Sequence, residues 1–264
     1  MDKPLEDVPR RTDDNLKSLV KVVRILESFS TFDRALSLGE ICQKAGFPKS
    51  TTHRLIASMR DVGLLDQDRE GERYRLGLKL FELGNMVLAN MDLHREARPF
   101  VDALSRVSGQ VVHLAVFDGR QAVVIHRSDP GPELGNAVNF IETAPVHCTS
   151  VGKAILAHQT PAVADRVIAG GLPRFTDATV VDEAVLRAAL AAIRQQGYAV
   201  DDGEHQPGVR CIGAPIRDQG GRVFAAISIS GPAWRLPVGE VESLSKIVIH
   251  HAGAISLCLG YRPN

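Results

Sequence analysis

Residues 37–76 read SLGEICQKAGFPKSTTHRLIASMRDVGLLDQDREGERYRL, and the local signals in this stretch indicate how the N-terminal part of the chain folds. Ser37 is followed by Glu40 at the spacing of a capping box, so a short helix is predicted to begin there and to end at Gly46. A second helix is predicted over residues 48–62, with a proline in its first turn. Two helices joined by a glycine-containing turn form a helix-turn-helix.

The segments on either side complete a winged version of this motif. Before it, apolar residues recur at three- and four-residue spacing over residues 16–29, which predicts a first helix. After it, segments 64–66 and 74–76 flank the polar turn 69–72, which is the pattern of a β-hairpin. A further helix over residues 77–91 is apolar on more than one side, so we expect it to pack against something outside its own domain.

The helix over residues 48–62 has two sides that differ in chemistry. Its 100° step gives an inner side of Thr51, Leu55, Met59 and Val62. The outer side is small, polar and basic, and it consists of Ser50, His53, Arg54, Ala57 and Arg60. Residues 44–60 contain four basic residues, one histidine and no acidic residue, which makes a local basic patch.

The basic patch predicts contacts with DNA. Three residues are predicted to reach base edges in the major groove: Ser50, Thr52 and His53. Three others are predicted to bind phosphates, which gives affinity without sequence choice: Lys49, Arg54 and Arg60. On the wing, Arg69 and Arg73 are predicted to lie near the adjacent DNA backbone. Two other interpretations stay open, namely a mere packing unit and a winged helix that binds protein.

The overall composition favours a folded, intracellular chain of more than one domain. Of the 264 residues, 44% are hydrophobic and 23% are charged, which is enough apolar material for packed cores. Lysine plus arginine and aspartate plus glutamate both total 31, so any DNA affinity has to come from a local patch. Four scattered cysteines and the lack of a signal-like segment favour the cytoplasm. No apolar run approaches the ~20 residues that cross a bilayer, so no membrane association is expected.

The C-terminal two-thirds has the pattern of helices on an antiparallel sheet, an α+β fold. Residues 111–118 and 121–127 are predicted to form one hairpin, and residues 211–217 and 222–230 a second. Helices are predicted near residues 95–108, 150–159, 161–169, 182–196 and 238–260.

Several motifs, taken in order and spacing, resemble the IclR family of bacterial transcriptional regulators over roughly residues 16–260. In the N-terminal part they are SLGEI (37–41), PKSTTHRLI (48–56), GLL (63–65) and YRLG (74–77). In the C-terminal part they are HCTSVGKA (147–154), DDGEHQPGVRCIGAPI (201–216) and AAISISGP (225–232). The resemblance implies binding to double-stranded operator DNA as a homodimer, or as a tetramer built from two dimers.

Residues 1–14 carry five acidic and three basic side chains, two prolines and almost nothing to bury, which predicts a flexible tail. The resemblance implies that a winged helix-turn-helix domain over residues 15–76 follows this tail. A linker helix over 77–92 then leads to a larger α+β effector-binding domain over 93–264, with a GAF/profilin-like antiparallel sheet.

An effector site is predicted in the second domain, where glycines and small residues leave room for a ligand. If Thr149 or Ser150 begins a helix, the free N–H groups of its first turn suit a carboxylate. By resemblance, the family's effector pocket corresponds to Ser150, Val151, Asp201, Cys211, Ser228 and Ser230. The predicted effector is a small keto, sugar or aromatic acid, and neither a cofactor nor a metal is expected.

Each of these residues has a plainer interpretation. Ser228 and Ser230 alternate with isoleucines, so the serine face of the strand can simply point at solvent. Cys211 is equally consistent with a small core residue, and Asp201 with the cap of a turn. Residues 130–135, which contain two prolines and two glycines, form either a flap or an exposed turn.

Two other classes of protein are alternatives to the DNA-binding regulator. Ser150 and Lys153 match Ser-x-x-Lys, the nucleophile and base of serine β-lactamases, but the accompanying Ser-Asp-Asn and Lys-Thr-Gly motifs are absent from the sequence. A metal- or redox-responsive regulator is the second alternative. Its candidate ligands are His113, His126, His147, Cys148, His205 and Cys211.

Overall fold

The computed structural model describes residues 11–30, 33–68, 72–89, 92–131 and 143–263. The chain divides into two compact units, Met1–Leu88 and Ala89–Asn264. Arg69 and most of the 130–135 segment lie outside the described residues. None of the helices in the described ranges is long and apolar enough to cross a membrane.

Within its described residues, the N-terminal unit has four helices and a small sheet. The helices are α1 (Arg11–Leu26), α2 (Leu38–Ala45), α3 (Lys49–Asp61) and α4 (Leu78–Ala89). The strands are β1 (Leu36–Ser37), β2 (Leu65–Gln67) and β3 (Arg73–Leu76), and they pair in the order β1-β3-β2. The predicted helix, helix, hairpin order is therefore present, and the two-residue β1 is an addition that no sequence signal indicated.

The first helix begins at Arg11, within the segment predicted to be a tail. Once a helix is nucleated, each further residue adds a hydrogen bond at low cost, so a polar segment can extend a helix whose later turns are anchored. The anchor is an apolar core made of Ile25, Phe29, Leu36, Ile41, Ala45, Ile56, Met59, Leu65 and Tyr74.

The predicted capping box of α2 is confirmed. The backbone N–H of Glu40 donates to Ser37 Oγ at 3.3 Å, and Ser37 N–H donates to the Glu40 carboxylate at 2.7 Å. The helix ends at Gly46, whose φ of 75° is in the left-handed region that glycine adopts without strain. The turn between α2 and α3 is thus set by local signals.

The buried side of α3 differs from the predicted one. Thr52, Ile56 and Met59 are buried, whereas Val62 is 61% exposed. The placement of Thr52 in the groove was therefore wrong. Its hydroxyl donates to the Pro48 carbonyl at 3.2 Å, so this threonine satisfies its own polar group on the inner side of the helix.

The C-terminal unit is built around one six-stranded sheet. Its strands are β4 (Val111–Phe117), β5 (Ala122–Ser128), β6 (Thr143–Ala144), β7 (Ala199–Asp202), β8 (Val209–Arg217) and β9 (Val223–Pro232). They lie in the order β6-β5-β4-β9-β8-β7, with every pair antiparallel. Both predicted hairpins are confirmed, and pairing of β4 with β9 joins them into one sheet.

Helices cover both faces of this sheet. They are α5 (Asp92–Ser108), α6 (Ser150–Leu156), α7 (Pro161–Ala169), α8 (Glu183–Gln196) and α9 (Val241–Cys258). Helices α5 and α9 pack on a face of large aliphatic side chains, including Leu114 and Ile227. Helix α6 packs on the opposite face, which carries small residues such as Ala115 and Ala226. Small side chains let α6 approach the sheet closely and leave gaps between the two. A buried cavity can therefore form on this second face.

Gly77, between β3 and α4, lies against the backbone of Gly63, so a substitution at Gly77 tests the packing of the N-terminal unit. A Cβ added at Gly77 would lie 2.1 Å from the Gly63 carbonyl oxygen, so the backbone has to shift. We expect Gly77→Ala to lower the free energy of unfolding of this unit by about 1–3 kcal/mol. Urea denaturation of the full chain, followed by circular dichroism, measures the change.

The matched control for this prediction is Gly39→Ala in α2. A Cβ there would meet only Ser37 Oγ at 3.9 Å, so this variant should be neutral or stabilising by up to about 1 kcal/mol. Equal denaturation midpoints for the two variants would contradict the close approach at Gly77.

Candidate functional site

The exposed side of α3 is a continuous stripe of short and basic side chains. We define the recognition stripe as Ser50, His53, Arg54, Ala57 and Arg60, all of which are exposed. Their spacing of three and four residues places them on one side of the helix. An exposed helix side with this chemistry fits the major groove of DNA.

Two of the other predicted DNA contacts, Lys49 and Arg73, lie on α3 and on the wing strand β3. Lys49 is exposed at the first position of α3. Arg73 is half-exposed, and its Nη1 donates to the Ala35 carbonyl at 2.8 Å, so this side chain also ties β3 to the segment before β1. Arg75, which sequence reasoning did not single out, is exposed on the same strand. The alternation of buried Tyr74 with its neighbours was the signal that would have identified it.

In the C-terminal unit, all seven predicted effector residues line one space. We define the buried cavity by its ten lining residues: His113, Val124, Ala144, Thr149, Ser150, Val151, Asp201, Cys211, Ser228 and Ser230. Its volume is about 20 Å³, which is room for about one water molecule. Sequence reasoning listed His113 only as a metal-ligand candidate, and it did not identify Val124 or Ala144.

Strand register explains why residues distant in sequence meet here. Ser230 lies opposite Cys211, and Cys211 lies opposite Asp201. In a neighbouring row, Ser228 lies opposite His113. Residues directly opposite one another in an antiparallel sheet share a face, so the polar groups of β4, β7, β8 and β9 point to the same side.

That side is the one covered by α6, which makes the lid of the cavity. A Cβ at Gly213 of β8 would lie 2.8 Å from the Ser150 carbonyl carbon, so the first turn of α6 touches the sheet backbone. Thr149 caps the helix, because its Oγ1 accepts the Gly152 N–H at 3.2 Å and donates to the Pro145 carbonyl at 2.7 Å. The two serines of β9 are consequently buried and do not face solvent.

His113 is a buried and neutral polar group of the cavity. Burial, assisted by the charge of Arg127, lowers the pKa of His113 to about 4. Its Nδ1 lies 3.2 Å from Ser230 Oγ, and its Nε2 has no hydrogen-bond partner among the described residues. The imidazole is therefore uncharged at neutral pH and has one polar atom free for another group.

Asp201 both lines the cavity and caps a turn, so its two interpretations are compatible. Its Oδ1 accepts the backbone N–H of Glu204 at 2.8 Å and of His205 at 3.4 Å. Burial raises the pKa of Asp201 to about 7, against the lowering effects of those hydrogen bonds and of nearby Lys153. The carboxyl is thus about half protonated at neutral pH.

The cysteine and lysine chemistry near the cavity argues against the alternatives. Burial raises the pKa of Cys211, and it raises the pKa of Cys148 to about 12, so both thiols stay protonated. Lys153 forms a buried ion pair with Glu204. A lysine held by a carboxylate in this way is not available as the free base that a Ser-x-x-Lys nucleophile requires.

The six proposed metal ligands do not gather in one place, although His113 and Cys211 both line the buried cavity. His126 contacts Asp102 and the ring of His94, while His147 and His205 both contact Phe175. Across the described ranges, no group of three or more histidine, cysteine, aspartate or glutamate residues is arranged to hold a metal ion.

Comparison with known proteins matches both units to one family. The profile described as "Bacterial transcriptional regulator IclR C-terminal" matches residues 85–257, and "IclR helix-turn-helix domain" matches residues 18–69. The Escherichia coli K12 protein "HTH-type transcriptional regulator XynR" is 34% identical over 248 residues, covering 93% of this chain and 98% of its own length. The "HTH-type transcriptional repressor AllR" of Salmonella typhimurium is also 34% identical, covering 94% and 91%.

Solved structures agree with these sequence matches. An IclR homolog from Microbacterium hydrocarbonoxydans, complexed with 4-hydroxybenzoate, is 31% identical with a TM-score of 0.77, covering 92% of this chain and 98% of that one. The Thermotoga maritima IclR is 26% identical with a TM-score of 0.69, covering 95% and 100%. The chain therefore belongs to the IclR family of bacterial transcriptional regulators, which are DNA-binding proteins and not enzymes.

Proposed function

We propose that this regulator contacts operator DNA through the recognition stripe and that a small organic acid in the buried cavity changes its DNA affinity. One observation carries the second half of this proposal. Seven residues that were predicted from separate motifs between residues 149 and 230 line a single cavity. A few polar groups that converge in one buried space can bind and orient a small ligand.

The chemistry of the cavity supports an acid as the ligand. Ser228 offers a hydroxyl donor, and Asp201 offers a donor when it is protonated. Hydrogen-bond donors without a fixed positive charge suit a carboxylate that also carries a keto or hydroxyl oxygen. The homolog complexed with 4-hydroxybenzoate shows that a 31% identical protein takes an aromatic acid. We include keto and sugar acids in the proposed class.

The size of the cavity supports a link between binding and conformation. About 20 Å³ holds a water molecule but no organic acid, so the walls have to separate when the effector binds. A ligand changes the populations of two conformations only if it binds them with different affinities. A compact and an expanded cavity are two such conformations. A coupling of about 1–3 kcal/mol to DNA binding is typical of allosteric proteins.

Exposed apolar residues of the N-terminal unit support assembly as a homodimer. They are Leu19, Val20 and Val23 on α1, together with Leu78, Phe81, Leu83, Met86 and Val87 on α4. Apolar surface of this extent on a soluble regulator is typical of an oligomer interface. Two winged helices in a symmetric dimer would contact the half-sites of a near-palindromic operator. A tetramer built from two dimers extends the same proposal.

The proposed function predicts that one acid alters binding to the DNA upstream of the regulator's own gene. Fluorescence anisotropy of that DNA should report salt-sensitive binding that shifts about 5–150-fold with a keto, sugar or aromatic acid. Ser228→Ala should bind DNA like the wild type and respond weakly to the acid. Loss of DNA binding in Ser228→Ala, or a normal response, would contradict a separate effector site.

Removal of Arg54 should weaken DNA binding without changing sequence preference. Because Arg54 is predicted to bind phosphate, Arg54→Ala should reduce affinity about tenfold for operator and unrelated DNA alike, and lower the slope of log K against log salt by about 1. Arg106→Ala, an exposed arginine on α5, is the matched control and should leave both quantities unchanged. If Arg54→Ala lowers the affinity for the operator but not for unrelated DNA, Arg54 contacts bases and not phosphate.

Effector affinity should depend on pH through Asp201. The raised pKa of about 7 leaves this carboxyl mostly protonated at pH 6 and mostly ionised at pH 8, where it repels an anionic ligand. Lys153 and Glu204, the charged groups beside it, form an ion pair and leave Asp201 to titrate in this range. Affinity should therefore fall about tenfold from pH 6 to pH 8.

Isothermal titration calorimetry of the active acid at both pH values checks this prediction. Asp201→Asn keeps an acceptor for the Glu204 and His205 N–H groups and removes the charge, so its affinity should vary little with pH. A wild-type affinity that is constant from pH 6 to pH 8 would show that Asp201 does not face the ligand.

A further inference from the structure

Among the residues that line the buried cavity, His113 has a ring nitrogen that lacks a hydrogen-bond partner among the described residues. The side chain is only 4% exposed, and Nε2 has no hydrogen-bond partner in the parts of the chain that the structure describes. A buried polar atom without a partner is unfavourable, and such atoms are rare in folded proteins. Because this atom belongs to a residue that lines the cavity, a bound ligand is the natural source of the missing hydrogen bond.

The neighbours of His113 indicate which role Nε2 takes. Cys211 hydrogen-bonds to Ser230, and Ser230 Oγ lies 3.2 Å from His113 Nδ1. A neutral imidazole accepts at one ring nitrogen and donates from the other. When the serine hydroxyl donates to Nδ1, the ring hydrogen is on Nε2, which is then a donor at the cavity.

The position of His113 in the sheet separates it from the first turn of α6. Along one row of the register, His113 on β4 is followed by Ser228 on β9 and then by Gly213 on β8. The Ser150–Val151 peptide lies directly over Gly213. Neighbouring strands are about 4.8 Å apart, so roughly 9–10 Å of sheet separates the His113 backbone from the point beneath α6.

We propose that His113 determines effector specificity by donating a hydrogen bond from Nε2 to an oxygen of the acid that is distant from its carboxylate. This inference rests on the proposed function and narrows the proposed class of effector to acids that carry a second, distal oxygen. The carboxylate lies among the other polar groups of the cavity, and a hydroxyl or keto oxygen several bonds away reaches His113. Acids with such a distal oxygen bind better than acids of the same skeleton without it.

Matched pairs of acids test this inference. 4-Hydroxybenzoate and benzoate differ by one distal hydroxyl on an aromatic skeleton, and 4-oxopentanoate and pentanoate differ by one distal keto oxygen on an aliphatic skeleton. Isothermal titration calorimetry of the full chain gives the affinity ratio within each pair. The wild type should prefer the oxygen-bearing acid of at least one pair by about tenfold, which corresponds to about 1.4 kcal/mol.

Variants of two histidines assign this preference to a residue. His113→Phe keeps a ring of similar size without nitrogen atoms, so the preference should fall to nearly onefold, and His113→Gln, which carries an amide donor, should restore part of it. His126→Phe is the matched control, because His126 lies on the adjacent strand opposite Leu114 and does not line the cavity. It should keep the wild-type ratio.

Thermal unfolding without ligand separates a binding role from a structural one. His113→Phe removes the unpartnered Nε2 and also the hydrogen bond between Nδ1 and Ser230, and these two effects oppose each other, so its midpoint should stay close to that of the wild type. A lower midpoint with equal loss of affinity for both acids of a pair would overturn the proposal in favour of simple packing. A preference that persists in His113→Phe would overturn it directly.

The remaining outcomes distinguish this inference from the proposed function. If pyruvate, which has no distal oxygen, shifts DNA binding while no acid of either pair binds, the inference is wrong and the proposed function stands. If none of these acids, pyruvate and D-gluconate included, binds the chain or shifts DNA binding, both are wrong.

Discussion

The pairing of β4 with β9 is the contact on which the C-terminal unit depends. Each strand already belongs to a local hairpin, and their mutual pairing joins segments more than a hundred residues apart into one sheet. Its register also decides the chemistry of each face, because a shift of β9 by one residue would turn Ser228 toward the aliphatic face and bring Ile227 under α6. Since both faces are packed against helices, such a shift would bury polar groups among aliphatic side chains on one face and crowd the other.

Burial then gives the cavity its electrostatic character. The histidine and the thiols are neutral, the charge of Lys153 is compensated by Glu204, and Asp201 is the group whose ionisation changes near neutral pH. Desolvation produces this result because each group is removed from water on a sheet face covered by a helix. Because the cavity is polar but nearly uncharged, an anion can bind there without displacing an ion that is already bound.

Local sequence signals predicted the N-terminal unit well, with one instructive failure. The capping box at Ser37 and the glycine at position 46 act within a few residues, so they can be recognised without knowing the rest of the fold. The burial of Thr52 was missed because a threonine can satisfy its hydroxyl with the carbonyl four residues before it and then behave as an apolar residue. Its neighbour Thr51 has the same chemistry, and the core made by Ile25 and Leu65 decides which of the two points inward.

By itself, the amino-acid sequence determined the family, the order of the helices and hairpins, and the seven residues now found around one cavity, because capping, turn and motif signals are local or recur at fixed spacing. Only the tertiary structure decided that two hairpins form one sheet, that the serines of β9 face a cavity, and that His113 belongs to it. These are relations between segments far apart in the chain. Register and burial set them, and neither is encoded in any short window of residues.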